Sequence, residues 1–161
     1  MNSNLKQRIQ VAVPGVLVLL GLILFAGTFG AVIISAVISV LMIYEFSGIV
    51  FSLADRTEKR NLLMGLAWFL SFSIFWVPST EFGILVAFFL LLTTYFLYTS
   101  ERFHAEELRT HFIEFMASFF GLFYLGFLPT FLIGLRQSAQ GKHWTVLFFL
   151  LVWAMDTGGY F

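Results

Sequence analysis

The chain contains no cysteine, so a disulfide framework, a thiolate metal site and a cysteine nucleophile are all excluded, and cysteine usage says nothing of the redox compartment. Charge is also scarce. Asp, Glu, Lys and Arg make up 11% of the residues, against about a quarter in an ordinary globular domain. Nine basic residues balance nine acidic ones, and no clustered excess of Lys and Arg is present to suggest a nucleic-acid partner. The sequence lacks a Gly-rich phosphate loop, a zinc motif, a hydrolase nucleophile elbow and any convincing internal repeat.

What is abundant is apolar surface. Hydrophobic residues form 60% of the 161, with 22 Phe, a composition suited to lipid rather than water as solvent. A helix needs about 20 mostly apolar residues to cross the hydrocarbon core, and only helices or closed barrels satisfy their backbone groups there. Uninterrupted apolar runs favour helices over the alternation of barrel strands. The reading is therefore an all-α, polytopic bundle of about six transmembrane spans near residues 11–28, 30–52, 61–77, 81–99, 112–135 and 144–161, one transmembrane region over residues 1–161. The first apolar run looks like a secretory signal, but a second span follows almost at once, so it reads as a retained helix.

Gly27 and Gly30 predict a tight reversal between the first two spans. Pro78, Ser79 and Thr80 break the next pair, and Pro129 predicts a kink inside the fifth span, tolerable if neighbours satisfy the freed carbonyl. Orientation follows from the basic residues. One side holds Lys6, Arg8, Arg56, Lys59, Arg60, Arg102 and Arg109, the other only Arg136 and Lys142, which places the N-terminus in the cytoplasm.

Two carboxylates, Glu45 and Asp156, fall inside apolar segments, where a charge is expensive and is a functional hypothesis by default. At 1.5 Å per residue they lie roughly 22 Å and 18 Å from the outer ends of their spans, both in the cytoplasmic half. Facing one inward-opening cavity, they could hold a hard divalent cation. The plainer reading of Glu45 is a hydrogen-bonded or protonated link between helices. Trp153, Asp156, Thr157 and Tyr160 share one helix face beside Gly158 and Gly159; the plainer reading there is a wet helix end at the interface. His104 and His111, seven residues apart, could be ligands on one face, although solvated loop histidines explain them more simply. The run from Asp55 to Arg60 reads as an orientation signal and headgroup contact.

Four stretches carry a family resemblance. Asn4-Leu5-Lys6-Gln7-Arg8-Ile9, Tyr44-Glu45-Phe46, Gly121-Leu122-Phe123-Tyr124-Leu125-Gly126 and above all Trp153-Ala154-Met155-Asp156-Thr157-Gly158-Gly159-Tyr160-Phe161 resemble the phosphatidate cytidylyltransferases, also called CDP-diacylglycerol synthases. The last block usually reads Trp-Ala-Asn-Asp-Thr-Gly-Ala-Tyr-Phe there; Met155 and Gly159 depart from it, while Asp156 and Thr157 match. The resemblance implies a multi-pass enzyme of phospholipid biosynthesis that joins CTP to phosphatidic acid, giving CDP-diacylglycerol and pyrophosphate, with Mg2+. It implies Asp156 as the catalytic carboxylate and metal ligand, Asp156 and Thr157 as nucleotide-binding groups, and Glu45 and Tyr160 as structural or supporting ones. Family members continue past this block into Lys-, Asp- and Arg-bearing motifs that carry most of the site. The chain therefore reads as the N-terminal portion of such an enzyme, expected to be inactive alone. The compact loops suit a bacterial inner membrane, and a homodimer is compatible with the reading. Two competitors from other classes are a small transporter or channel subunit using Glu45 and Asp156 as an ion relay, and a noncatalytic membrane scaffold.

Overall fold

The computed structural model describes residues 3–52, 56–77, 80–101 and 104–159, and every described element is helical. Helix α1 spans Ser3–Phe25, α2 Gly27–Val50, α3 Arg56–Trp76, α4 Glu81–Ser100 and α5 Ala105–Gly121. A π-helical turn, Leu122–Phe127, and a 3-10 turn, Leu128–Thr130, lead into α6 (Phe131–Gln137) and then α7 (Gly141–Gly158). The expected break at Pro78 and Ser79 lies outside the described residues, as do Asp55, Arg102, Tyr160, Phe161 and the side chain of Thr157.

Charged stretches read as loops turn out to begin helices: α3 starts at Arg56 rather than at residue 61, and α5 at Ala105 rather than at residue 112. The reason is that apolar content locates the part of a helix that lipid can cover, whereas backbone hydrogen bonding continues into the polar interface. Among the described residues three stretches are long and apolar enough to cross a membrane, Gly27–Val50, Glu81–Ser100 and Glu107–Gln137, with a shorter apolar helix at Pro14–Phe25. Large apolar side chains such as Phe25, Ile49, Phe82, Leu90 and Leu97 are exposed, which a membrane protein's lipid-facing surface explains.

The helices gather into two compact units. The first comprises Met1–Ile34 and Leu132–Phe161, where α1 packs against α7 around Ile23, Val32, Ile133 and Phe149. The predicted reversal between α1 and α2 is present. Gly27 adopts φ +60°, a left-handed conformation that costs glycine nothing, and Gly30 then passes so close to α1 that a Cβ would lie 2.3 Å from the Leu22 carbonyl oxygen. Gly30→Ala is accordingly expected to lower stability by about 1–3 kcal/mol, read as reduced thermal stability in detergent.

The second unit, Ser35–Phe131, holds most of α2, then α3 to α5 and the two irregular turns. Helix α3 buries Lys59, Leu63, Ala67, Leu70, Ser71 and Ile74, steps of three and four residues that mark one stripe. Ala67 on that stripe lies 3.4 Å from where a Cβ on Gly126 would stand, so the π-helical turn rests closely on α3. Around Pro129 the winding changes twice, as its missing N–H requires. Buried serines on α2 meet the disturbed carbonyls: Ser35 Oγ donates to the Pro129 carbonyl at 2.8 Å, and Ser39 Oγ to that of Gly126 at 3.4 Å. Ser35→Ala would remove this link between α2 and the turn at Pro129, an expected loss of about 0.5–1.5 kcal/mol in the same melting measurement.

Candidate functional site

Asp156 sits in the last turn of α7, on the exposed side, with Trp153 half-buried one turn earlier. Trp153 packs on Phe149 with ring centroids 6.3 Å apart, and the Gly159 amide donates to the Met155 carbonyl at 3.0 Å, closing the turn that carries the carboxylate. Among the described residues no hydrogen bond or ion pair reaches the Asp156 carboxylate. A carboxylate left open on an otherwise apolar helix contributes nothing to packing, which makes it available to a ligand. Glu45 is likewise exposed, on α2 beside exposed Tyr44. It belongs to the second unit and Asp156 to the first.

The densest polar cluster lies in the second unit. Glu114, one turn after His111 on α5, is 4% exposed, as is Lys59 on α3, and the two side chains form an ion pair. The other carboxylate oxygen of Glu114 accepts the backbone N–H of Ser52 at 2.8 Å, just beyond the end of α2. The Lys59 ammonium also lies 5.9 Å from the Phe96 ring centroid on α4. One side chain thus ties the end of α2 and the start of α3 to α5. Each oxygen of the carboxylate meets a donor, the condition under which a buried charge is tolerated.

His111 is not a solvated loop residue. It lies inside α5, 5% exposed, with its ring against Phe96 at 5.0 Å, and its Nε2 is 3.2 Å from the Phe96 carbonyl oxygen and 3.4 Å from Thr99 Oγ1. His104 is exposed ahead of α5, where its backbone N–H donates to the Glu107 carboxylate at 3.4 Å. The two do not share a site. On α3, Glu58 accepts a hydrogen bond from the Tyr95 hydroxyl at 2.5 Å. Beside His111, an apolar cavity of about 320 Å³ opens between α4 and α5, lined by Phe96, Leu97, Leu108, Phe112 and Phe115, with no charged group that could hold a triphosphate.

The Lys59–Glu114 pair is what residue spacing missed. A signal existed in that both residues fall at the charged ends of apolar runs assigned to the same side, but nothing in the order of residues says which cation meets which carboxylate. Among the described residues no three His, Asp or Glu side chains converge as a metal-binding group. Asp156 supplies the oxygen chemistry that Mg2+ prefers, but one carboxylate is too few ligands to define a site.

The described residues define an all-helical membrane protein with exposed carboxylates at Asp156 and Glu45 and a neutralised ion pair between Lys59 and Glu114. Comparison with known families supplies the chemistry: residues 6–161 match the model of the cytidylyltransferase family, so the chain belongs to that family, a group of nucleotidyltransferases that use CTP. No curated protein and no solved structure matches it significantly.

Proposed function

We propose that the protein is a phosphatidate cytidylyltransferase of phospholipid biosynthesis, joining CTP to phosphatidic acid with release of pyrophosphate. The observation that carries this reading is the family match over residues 6–161 in a chain with long apolar helices. A lipid acceptor explains why a cytidylyltransferase is embedded among such helices, since phosphatidic acid remains at the membrane while CTP arrives from water. The topology that suits it has about six spans with the N-terminus cytoplasmic, in a bacterial inner membrane.

In the proposed reaction a phosphate oxygen of phosphatidic acid attacks the α-phosphorus of CTP, the bond from that phosphorus to the bridging oxygen breaks, and pyrophosphate leaves with the electron pair. Asp156 is the proposed catalytic carboxylate and the proposed ligand for Mg2+, which would neutralise phosphate charge when bound, with its remaining ligands from groups other than those described. The Thr157 hydroxyl is proposed to assist in nucleotide binding, and Glu45 and Tyr160 to support the site. The Lys59–Glu114 pair does not join this chemistry, because the Lys59 charge is already neutralised.

Acceptor choice tests the lipid assignment. The protein, expressed with whatever native sequence follows it in its gene, is supplied in detergent with CTP, Mg2+ and either phosphatidic acid or diacylglycerol. CDP-diacylglycerol is expected from phosphatidic acid alone. Transfer to a water-soluble phosphate acceptor but not to phosphatidic acid would overturn the lipid assignment and leave the family intact.

A further inference from the structure

We infer that Arg60 and Tyr44 form a recognition site for a phosphate group at the membrane surface. The Arg60 guanidinium carbon lies 4.7 Å from the centroid of the Tyr44 ring, so the cation is held against an aromatic face of α2 from α3. Its Nε is buried and donates to no acceptor, and among the described residues no carboxylate or carbonyl meets the guanidinium. The neighbouring charges are already engaged. Lys59 is paired with Glu114, Glu58 accepts the Tyr95 hydroxyl, and Arg56 donates to the Phe51 carbonyl through Nε at 3.4 Å and Nη2 at 3.3 Å.

A guanidinium left open in this way costs desolvation of the buried donor without a compensating bond. The stack fixes the plane of the planar fork, so a ligand bonding two of its N–H groups loses less side-chain entropy than on a free surface arginine. Tetrahedral phosphate oxygens match that fork in a way a lysine ammonium cannot reproduce. The setting also favours phosphate: Arg60 lies in the polar first turns of α3 in a membrane protein and belongs to the basic set assigned to one face, where lipid headgroups lie. The shared chemistry is a phosphate group, supplied by an anionic phospholipid or by a free phosphate. The proposal rests on the membrane setting and not on the transfer reaction, so either can fail without the other.

Binding is measured by titrating the detergent-solubilised protein with short-chain phosphatidic acid, with diacylglycerol as the phosphate-free control. Arg60→Gln is expected to weaken phosphatidic acid binding by about fivefold or more, the effect of one basic residue at a membrane surface. Arg60→Lys, which keeps the charge and loses the fork and its stack, is expected to weaken it nearly as much; Tyr44→Phe, which keeps the ring, is expected to bind like the wild type. Melting of each variant in the same detergent establishes that it is folded. Competition by millimolar inorganic phosphate assigns the site to free phosphate, and lack of competition assigns it to the lipid. Wild-type affinity in Arg60→Lys, or equal binding of diacylglycerol and phosphatidic acid, would overturn the proposal.

Discussion

Glu114→Ala is expected to destabilise the protein by roughly 3–5 kcal/mol, because it breaks a buried ion pair by removing one of its two members. The same change removes the acceptor of the Ser52 amide, so the end of α2 loses its tie to α5 at the same time. Lys59→Met is expected to cost less than Glu114→Ala, since the carboxylate would keep its bond from Ser52. The double variant Lys59→Met with Glu114→Leu is the informative one. It restores an apolar contact in place of the pair and should recover most of the loss, short of about 1–3 kcal/mol for the stranded Ser52 N–H. Denaturant titration in mild detergent, run as a double-mutant cycle, gives the coupling. A coupling near zero would mean that the two side chains do not depend on each other.

Asp156→Asn is expected to lower cytidylyl transfer by about 10²-fold or more while leaving stability within about 0.5 kcal/mol. The first figure is the usual effect of removing one charged or hydrogen-bonding group that acts on phosphoryl or acyl transfer. The second follows from position, since the side chain is exposed on α7 and a surface change away from packing rarely does more. Initial rates and melting are measured on the same preparation. A parallel fall in both would give Asp156 a structural part instead, and an unchanged rate would remove it from the site.

Much of the fold was legible because lipid imposes a simple rule. Apolar runs of about 20 residues read as helices and the Gly27 and Gly30 pair read as a reversal, and both features are present; at Pro129, read as a kink, the winding passes through a π-helical and a 3-10 turn. Helix ends were less legible. Residues 56–60 and 105–111 are polar, and polarity in a membrane chain marks the depth of a segment rather than its backbone conformation. The serines of α2 illustrate a second limit, since Ser35 and Ser39 read only as small polar residues until the carbonyls of Pro129 and Gly126 are seen beside them.

The candidate site divides in the same way. Asp156 stood out because a carboxylate within an apolar segment is costly, and the block around it carried the family resemblance that the match over residues 6–161 supports. Glu114 did not stand out, although it is the more deeply buried of the two. Its partner lies 55 positions away, and only the packing of α3 on the elements that follow it brings the charges together. His111 was misread for a related reason, because a polar stretch before an apolar run was taken as solvated when α5 already extends through it.

The central claim is that the protein transfers the cytidylyl group of CTP to a lipid phosphate, and the most direct measurement follows two isotopic labels. CTP labelled at the α-phosphate and CTP labelled at the γ-phosphate are each incubated with the protein, phosphatidic acid and Mg2+, and the organic and aqueous phases are counted. The account predicts the α label in CDP-diacylglycerol and the γ label in water as pyrophosphate. Recovery of the γ label in lipid, or of neither label in lipid, would contradict it.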